Sequence, residues 1–316
     1  MSIPSSANSE TYAEPVRLAD APFDNDSQAD VILISSDGTH FRVFRKFLSL
    51  ASPIFADMFS LGEASPNELL DGIPVVHMVE DAETLDLLLR WCYHLIRTPP
   101  LGTSLDRTWR LSAAMQKYSI DAFVDAVDDA LRVHLASDPI GALAVAVMLG
   151  LEDVKREALR AALAIPLEEV AAAERPGLTD KMLNTLVRYH IACGAAASKV
   201  VRSRAFYPSR TIRSGTVALM GWIPPECCTC AVVDIQDEYG WSAPRFVWKF
   251  LDTARSAFLL RPGMCAEDVA SMCTMVLCSK CCGEVYAHIK DTQVLMDLVM
   301  LEVNIAIAKV PVPKFV

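Results

Sequence analysis

Two pairs of cysteines near the C-terminus have the residue type and spacing of metal ligands. Two residues separate Cys227 from Cys230, and two separate Cys278 from Cys281. Zinc prefers soft thiolate ligands in a tetrahedron, and two intervening residues allow one turn to present both sulfur atoms. We therefore predict a structural zinc site with four thiolate ligands, in which no coordination position is left for a catalytic water.

The distance between the two pairs leaves two other interpretations open. The 47 residues between Cys230 and Cys278 exceed the ~15–20 residues of a zinc ribbon. Inert thiols are one alternative, because free cysteine is among the most buried residue types. A thiol oxidoreductase is the other, although Pro224-Pro225-Glu226 does not resemble the strand-to-helix approach of a redox C-x-x-C. Four further cysteines are predicted to be small buried groups: Cys92, Cys193, Cys265 and Cys273.

His190 and Cys193 lie three residues apart on a predicted helix, which is a possible spacing for a thiol–imidazole pair. The rest of that helix face is Leu and Val, and no third residue is placed to orient the imidazole. Packing is therefore the favoured interpretation of both residues. The sequence also lacks a phosphate-binding glycine loop, a G-x-S-x-G elbow and a His-rich protease motif. We predict that the protein is not an enzyme.

The net charge of the chain argues against general binding of nucleic acid. The chain has 29 Lys and Arg against 39 Asp and Glu, a formal net charge of −10, and such a surface repels phosphate backbones. Residues 199–213 reverse this locally, with five basic residues and no acidic one. A solvated linker is the favoured interpretation of this stretch. The alternative is a transcription-linked regulator that contacts nucleic acid through these charges and the nearby aromatic residues Phe206 and Tyr207.

No segment of the sequence has the pattern of a membrane span or a signal peptide. The longest apolar stretch, Pro139 to Leu151, is shorter than the ~20 residues that cross a bilayer. Residues 1–28 have no basic flank followed by an apolar block. We expect an intracellular protein, cytoplasmic or nuclear, in which cysteines stay reduced or bind metal.

Residues 30–135 combine a few strands with several helices. Val31–Ile34 is a short apolar run, and Asp37-Gly38 separates it from a second run at residues 40–44, which is typical of a β-hairpin. Apolar residues from Phe47 to Phe59 recur at three- and four-residue spacing, and Pro53 can start a second short helix. We predict a further strand and three more helices: a strand at 74–79 and helices that begin at Asp81, Ser104 and Asp121.

This region resembles a BTB/POZ domain, in the branch common in fungal proteins. The family pattern F-x-V-H-[KR]-x-x-L-[AS]-x-x-S-x-x-F-x-x-M-F matches in register over residues 41–59, with Phe44 in place of the usual histidine. The matching residues are Phe41, Val43, Arg45, Leu48, Ser49, Ser52, Phe55, Met58 and Phe59. The resemblance covers residues 27–137 and implies an α+β fold, in which a small sheet is covered by helices.

BTB domains are interaction modules without known catalytic residues. The resemblance therefore implies an adaptor that binds itself or other proteins, such as the cullin scaffold of a ubiquitin ligase. Asp30 and Arg45 match positions that form a charged pocket in some members, with a structural ion pair as the alternative. Leu61 and Glu63 have the residue types of the cullin-binding hydrophobic-x-Glu motif, two positions closer to Met58 and Phe59 than usual. A solvated loop is the alternative for that segment. The residues implied to carry interactions are Asp30, Arg45, Met58, Phe59, Leu61 and Glu63.

The rest of the chain is predicted to be helical. Asp138-Pro139 has the residue types of a helix start, and residues 244–260 have the periodicity of a long helix. The last helix has a seam against another helix, within or between molecules, formed by Val285, Ile289, Thr292, Met296, Val299 and Val303. We predict the following organisation: a lead-in without a fold at 1–26, a BTB/POZ domain at 27–137, a helical extension at 138–198, a linker at 199–223 and a helical Cys-rich region with a possible zinc site at 224–310.

Overall fold

The computed structural model describes residues 17–24, 27–62, 68–93, 104–120, 123–202, 233–236, 242–276 and 289–315. The chain divides into two compact units, Met1–Ala130 and Leu131–Val316. We call them unit 1 and unit 2.

Unit 1 contains a five-stranded sheet in the order β1-β3-β2-β5-β4. β2 pairs antiparallel with β3 and parallel with β5, so it is the central strand. Its residues Val31, Ile32 and Leu33 are fully buried, as expected for a short, continuous apolar run. The strands are β1 (Arg17–Leu18), β2 (Val31–Ile34), β3 (Thr39–Val43), β4 (Leu69–Leu70) and β5 (Ile73–His77).

Five helices of unit 1 lie among the described residues, and the last one, α5, contains the division between the units. They are α1 (Arg45–Ala51), α2 (Pro53–Gly62), α3 (Ala82–Cys92), α4 (Leu105–Lys117) and α5 (Val124–His134). Asp81 caps α3 by accepting the Thr84 N–H, and Ser104 caps α4 by accepting the Arg107 N–H. Both caps are side chains that satisfy backbone donors at a helix start. The hairpin, the third main strand and all five helices confirm the α+β prediction.

The folded chain begins earlier than the predicted boundary at residue 27. β1 pairs in parallel with β3, and Phe23 is buried against Phe41 and Tyr93. The Arg42 N–H donates to the Phe23 carbonyl, which ties this segment to the sheet a second time. Residues 17–24 therefore belong to unit 1. The sequence did not indicate that these residues are folded, because their hydrophobic residues are isolated and a two-residue strand has no detectable periodicity.

The described part of unit 2 consists of helices and one short antiparallel pair of strands. Asp138 caps α6 with Pro139 at its first turn, and Gly150 ends the helix with a left-handed φ of 71°, which glycine adopts without strain. The helices are α6 (Pro139–Leu149), α7 (Glu152–Ala162), α8 (Leu167–Ala171), α9 (Asp180–Arg202), α10 (Arg245–Leu260), α11 (Ala266–Val276) and α12 (Ile289–Ala308); the strands are β6 (Val233–Gln236) and β7 (Ser242–Pro244).

The long helix α9 organises unit 2 by packing against both α10 and α12. Gly194 permits the close approach of α10, because a Cβ atom at this position would lie 2.5 Å from the Leu259 carbonyl oxygen. Met296, Val299 and Val303 of α12 are buried. These three residues of the predicted seam are therefore buried inside unit 2, and Val285 lies outside the described residues.

Three consecutive carbonyls after α7 join distant parts of unit 2. The carbonyl of Leu163 accepts the Gly263 N–H at 2.9 Å. The next two carbonyls, of Ala164 and Ile165, are hydrogen-bonded by the side chains of Arg261 and His190. The predicted helical extension and the helices of the predicted Cys-rich region are thus parts of one unit. Periodicity within single helices carries no information about such pairing.

No helix in the described parts of the chain is both long enough and apolar enough to cross a membrane. α9 continues to Arg202, so the predicted linker at 199–223 begins as helix. The remainder of that linker lies outside the described residues.

Candidate protein-interaction surface

The helices α1 and α2 are fixed to unit 1 through their inner faces. Leu48 and Phe55 are fully buried, and Phe59 is nearly so. The ring of Phe55 stacks on Tyr118, with 4.5 Å between centroids and 9° between planes, and on Phe59 at 5.9 Å. Aromatic rings bury large areas in such pairs. The inner face is therefore a core, and its position is set by the contact with Tyr118 at the end of α4.

Ser52 connects this helix pair to α4 by hydrogen bonds. Its Oγ donates to the Tyr118 carbonyl at 2.5 Å and accepts the Phe55 N–H at 3.1 Å, so it caps α2 while joining α4. The Tyr118 hydroxyl in turn donates to Glu80 at 2.8 Å. Burial, followed by this contact with Glu80, raises the pKa of Tyr118, so the hydroxyl stays a donor. These bonds fix the orientation of α2 relative to the sheet.

Asp30 and Arg45 meet through the backbone of Arg45. The exposed Asp30 carboxylate accepts the Arg45 N–H at 2.7 Å at the start of α1. The Arg45 guanidinium lies over the Phe59 ring, 5.8 Å from its centroid, within the range of a cation–π contact. Asp30 therefore accepts a hydrogen bond from the backbone at the first residue of α1. The charged pocket and the structural ion pair both stay predictions for these two residues.

The exposed side of α1 and α2 carries several apolar side chains. Leu50 is 77% exposed, Leu61 78%, Ile54 40% and Phe47 36%. On α2, Ile54, Met58 and Leu61 have the spacing of one helix face, and Met58 is half-buried. Exposed apolar groups that cluster on one surface are typical of association sites. We call these five residues the α1/α2 face.

The α1/α2 face arises from apolar residues that occur in adjacent pairs. Three pairs follow one another: Phe47-Leu48, Ile54-Phe55 and Met58-Phe59. In each, the second residue is buried and the first is exposed or half-buried. Neighbouring residues on a helix point ~100° apart, so both cannot enter one core. The pairs are visible in the sequence, but the three- and four-residue spacing alone does not separate the buried members from the exposed ones.

The six residues implied to carry interactions have different surroundings. Leu61 and Met58 lie on the α1/α2 face, whereas Phe59 is buried in the core. Asp30 and Arg45 meet at the start of α1, as described above. Glu63 lies outside the described residues. Phe47, Leu50 and Ile54 belong to the surface and were missed.

The cysteines fall into two groups. Cys227, Cys230, Cys278 and Cys281 lie outside the described residues, so the zinc site stays a prediction. Within the described ranges there is no cluster of His, Cys, Asp or Glu able to hold a metal. Burial raises the pKa of Cys92 to about 12 and that of Cys193 to about 11. A thiol that stays protonated at neutral pH is a poor nucleophile.

His190 and Cys193 have different partners. His190 is hydrogen-bonded through Nε2 to the Ile165 carbonyl at 3.0 Å. Cys193 interacts with the Tyr189 hydroxyl instead. All three side chains are buried. The packing interpretation therefore describes this helix face. Of the other cysteines predicted to be buried, Cys92 and Cys273 are buried and Cys265 is exposed.

Comparison with known proteins identifies the domain. Residues 19–135 match the family model of the BTB/POZ domain, and this range contains β2–β5, α1–α5 and the α1/α2 face. The match starts eight residues before the predicted boundary at residue 27, in agreement with the burial of Phe23. None of the curated proteins matches the sequence significantly. The BTB/POZ domain is a protein-interaction domain.

Proposed function

Starting from a BTB/POZ domain at residues 19–135, we propose that this protein is an adaptor that associates with a second copy of itself through the α1/α2 face. A single observation carries the proposal: the first members of the three apolar pairs are exposed or half-buried, while the second members are buried in the core. Burying apolar area is the main favourable term in association. Contact with a partner protein therefore gives this apolar surface a lower free energy than contact with water.

The rigidity of the helix pair supports the same proposal. Ser52, Phe55 and Tyr118 hold α2 through hydrogen bonds and stacking. A surface that is already ordered loses little conformational entropy on binding, so more of the contact energy appears as affinity. The exposed apolar residues also lie on two adjacent helices, which is an arrangement suited to another helix pair.

The test uses the full-length chain and a charge on the α1/α2 face. We expect Leu50→Asp with Ile54→Asp to weaken self-association at least ~tenfold in sedimentation equilibrium, since a carboxylate in an apolar contact must be desolvated. Leu260→Asp is the matched control, because Leu260 is an exposed leucine of unit 2. A wild-type chain that is monomeric at ~100 μM would contradict the proposal.

A cullin scaffold is a second candidate partner, favoured by one observation. Leu61, the hydrophobic residue of Leu61-Gly62-Glu63, is largely exposed to solvent near the end of α2, two positions closer to Met58 and Phe59 than in the usual motif. We expect purified cullin N-terminal domain to bind the wild-type chain, and Leu61→Asp to abolish binding without changing the thermal midpoint. Absence of binding by the wild-type chain excludes this partner.

The zinc site is a further proposal, with Cys227, Cys230, Cys278 and Cys281 as ligands. It predicts about one equivalent of zinc per chain after expression with adequate metal, and its loss in Cys227→Ser with Cys278→Ser. Cys265→Ser is the matched control, because Cys265 is exposed and outside the pairs. Zinc below ~0.2 equivalents in the wild-type chain contradicts the proposal.

A further inference from the structure

A cleft of about 420 Å³ lies between the C-terminal halves of α9 and α12 in unit 2. Its wall is mainly apolar and is formed by Ala196, Val200, Ile305, Ala306, Val310 and Pro311. Clefts of ~300–1,000 Å³ with apolar walls and a few polar groups are the usual form of binding sites. Neither the BTB/POZ domain nor the predicted zinc site includes these residues.

The apolar surface extends beyond the cleft along α12. Ile305 is 40% exposed at the cleft, and Leu301, one turn earlier, is 53% exposed. The opposite side of α12 is already occupied, because Met296, Val299 and Val303 are buried in unit 2. α12 therefore carries a second group of apolar side chains that is partly exposed. Apolar side chains spread along more than one turn of a helix suit a chain segment better than a compact small molecule.

The charges at the rim indicate the chemistry of the occupant. Lys199 and Lys309 line the cleft from α9 and from the end of α12, and among the described lining residues Glu302 is the only acidic one. Both lysines are exposed. Neither makes an ion pair with any residue that the structure describes. Two ammonium groups against one carboxylate give the rim a positive charge, in a protein whose formal net charge is −10.

We propose that the cleft binds a short amphipathic segment of a partner protein, whose apolar residues are flanked by Asp or Glu. The apolar residues of the segment would contact Val200, Ile305 and Val310, and its carboxylates would reach Lys199 and Lys309. An amphipathic helix in an apolar groove is a common recognition mode, and complementary charge at the rim sets orientation and selectivity. This binding site is separate from the α1/α2 face and does not depend on self-association.

A different explanation of the lysines must be tested with the proposal. α9 ends at Arg202 and α12 at Ala308, and cations near the end of a helix are stabilised by its negative pole. If the lysines act only in this way, reversing their charge lowers stability and leaves peptide binding unchanged. If they bind carboxylates, the same change lowers affinity.

The experiment measures fluorescence anisotropy of a labelled peptide with the full-length chain. The probe is a peptide of about twelve residues with leucines at helical i, i+4 spacing between glutamates. Its control has every glutamate replaced by lysine. We expect the acidic probe to bind at least ~tenfold more tightly than the lysine control, and its affinity to fall several-fold between about 50 and 500 mM salt because exposed charges are screened.

Two variants locate the binding. Lys199→Glu with Lys309→Glu should weaken binding of the acidic probe ~tenfold or more and reduce the preference over the lysine control. Lys181→Glu is the matched control, because Lys181 is an exposed lysine at the other end of α9. Ile305→Asp should abolish binding of both peptides, and its thermal midpoint should stay close to that of the wild-type chain.

Several outcomes overturn the proposal. They are no binding of the acidic probe, equal affinity for the two peptides, or binding that survives Lys199→Glu with Lys309→Glu. A monomer–dimer equilibrium that is lost in Ile305→Asp and retained in Leu50→Asp also overturns it, because a second copy then occupies the cleft. Binding that is lost only with Leu50→Asp places the peptide on the α1/α2 face, which contradicts the proposal in the same way.

Discussion

Unit 1 and unit 2 differ in the contacts that hold their helices together. In unit 1, a buried hydroxyl at Ser52 connects α2 to α4, and the aromatic stack of Phe55 on Tyr118 fills the space around it. In unit 2, Gly194 brings two helices into backbone contact, and donors from distant segments satisfy the carbonyls after α7. Unit 1 is thus held by side chains from short, varied elements, and unit 2 by close approach of long helices.

Each unit exposes apolar side chains on helices that are held in place by other contacts. A short pair of helices can expose hydrophobic residues only if its inner face is held firmly. In unit 1 the hydrogen bonds of Ser52 hold this inner face. In unit 2, α12 is long enough for its buried residues to fix its position, so its exposed apolar residues can make other contacts. The following changes should affect the units separately, and hydrogen exchange read by mass spectrometry can report each unit within the full-length chain.

The largest expected effect is on unit 1, from one member of an apolar pair. Phe55→Ala removes a fully buried ring and should destabilise unit 1 by about 3–5 kcal/mol through lost packing and the cavity left behind. Ile54→Ala, at the adjacent and exposed position, is the control and should cost less than about 1 kcal/mol. The exchange rates of unit 1 amides measure both. Equal effects of the two changes would contradict the assignment of inner and outer faces.

The next effect is on unit 2, from the close approach at Gly194. Gly194→Ala places a Cβ atom against the Leu259 carbonyl, so the helices must separate, at a cost of about 1–3 kcal/mol. In an exposed helix position the same change is stabilising by about 1 kcal/mol. Loss of protection in α9 and α10 is the measurement. A chain that becomes more stable shows that the contact is absent. Ala195→Val, an exposed neighbour, is the control.

Ser52→Ala should have an intermediate effect, again on unit 1. The change removes the cap of α2 and leaves the buried Tyr118 carbonyl without its donor, which costs about 1–3 kcal/mol. The control is Ser60→Ala, because Ser60 lies on the same helix with an exposed hydroxyl that bonds within the helix. Chemical denaturation followed by unit 1 exchange gives both values. A cost no larger than that of the control would show that Ser52 does not join α2 to α4.

The smallest expected effect is the pH dependence of unit 2. Burial lowers the pKa of His190 from 6.5, against a smaller opposite contribution from the Ile165 carbonyl. The imidazole therefore takes up a proton at lower pH in the folded chain than in the unfolded chain, so protons favour unfolding. Stability of unit 2 should fall as pH decreases below the unfolded pKa of about 6.5, by at most about 1.4 kcal/mol per pH unit.

The variant for this prediction is His190→Gln. It should reduce the slope of unit 2 stability below about pH 6.5 while leaving the slope of unit 1 unchanged. An unchanged slope in unit 2 assigns the pH dependence to another group.

Much of unit 1 could be predicted from sequence, because its signals are local. The Asp37-Gly38 turn, the cap at Asp81 and the spacing of Leu48, Phe55 and Phe59 each act over a few residues. The family pattern then assembles them. The strand at Arg17–Leu18 was missed because its evidence is a pairing with β3, which lies far along the chain.

The interaction surface was predicted only in part. Leu61 and Met58 were implied by the resemblance, whereas Phe47, Leu50 and Ile54 required the pairs to be recognised as two faces. In unit 2, the helices could be predicted from periodicity and caps such as Asp138. Their arrangement could not, since it depends on Gly194 and on carbonyls whose donors include Arg261, in a distant segment of the chain.

The carbonyls of Leu163, Ala164 and Ile165 bear on the order of events during synthesis. Two of their three donors come from Arg261 and Gly263, which leave the ribosome long after α7. Domains generally fold in order from the N-terminus as the chain emerges, so unit 1 can reach its final structure first. The carbonyls of Leu163 and Ala164 must then bond to water until residues 261–263 have emerged, so unit 2 completes its fold after unit 1.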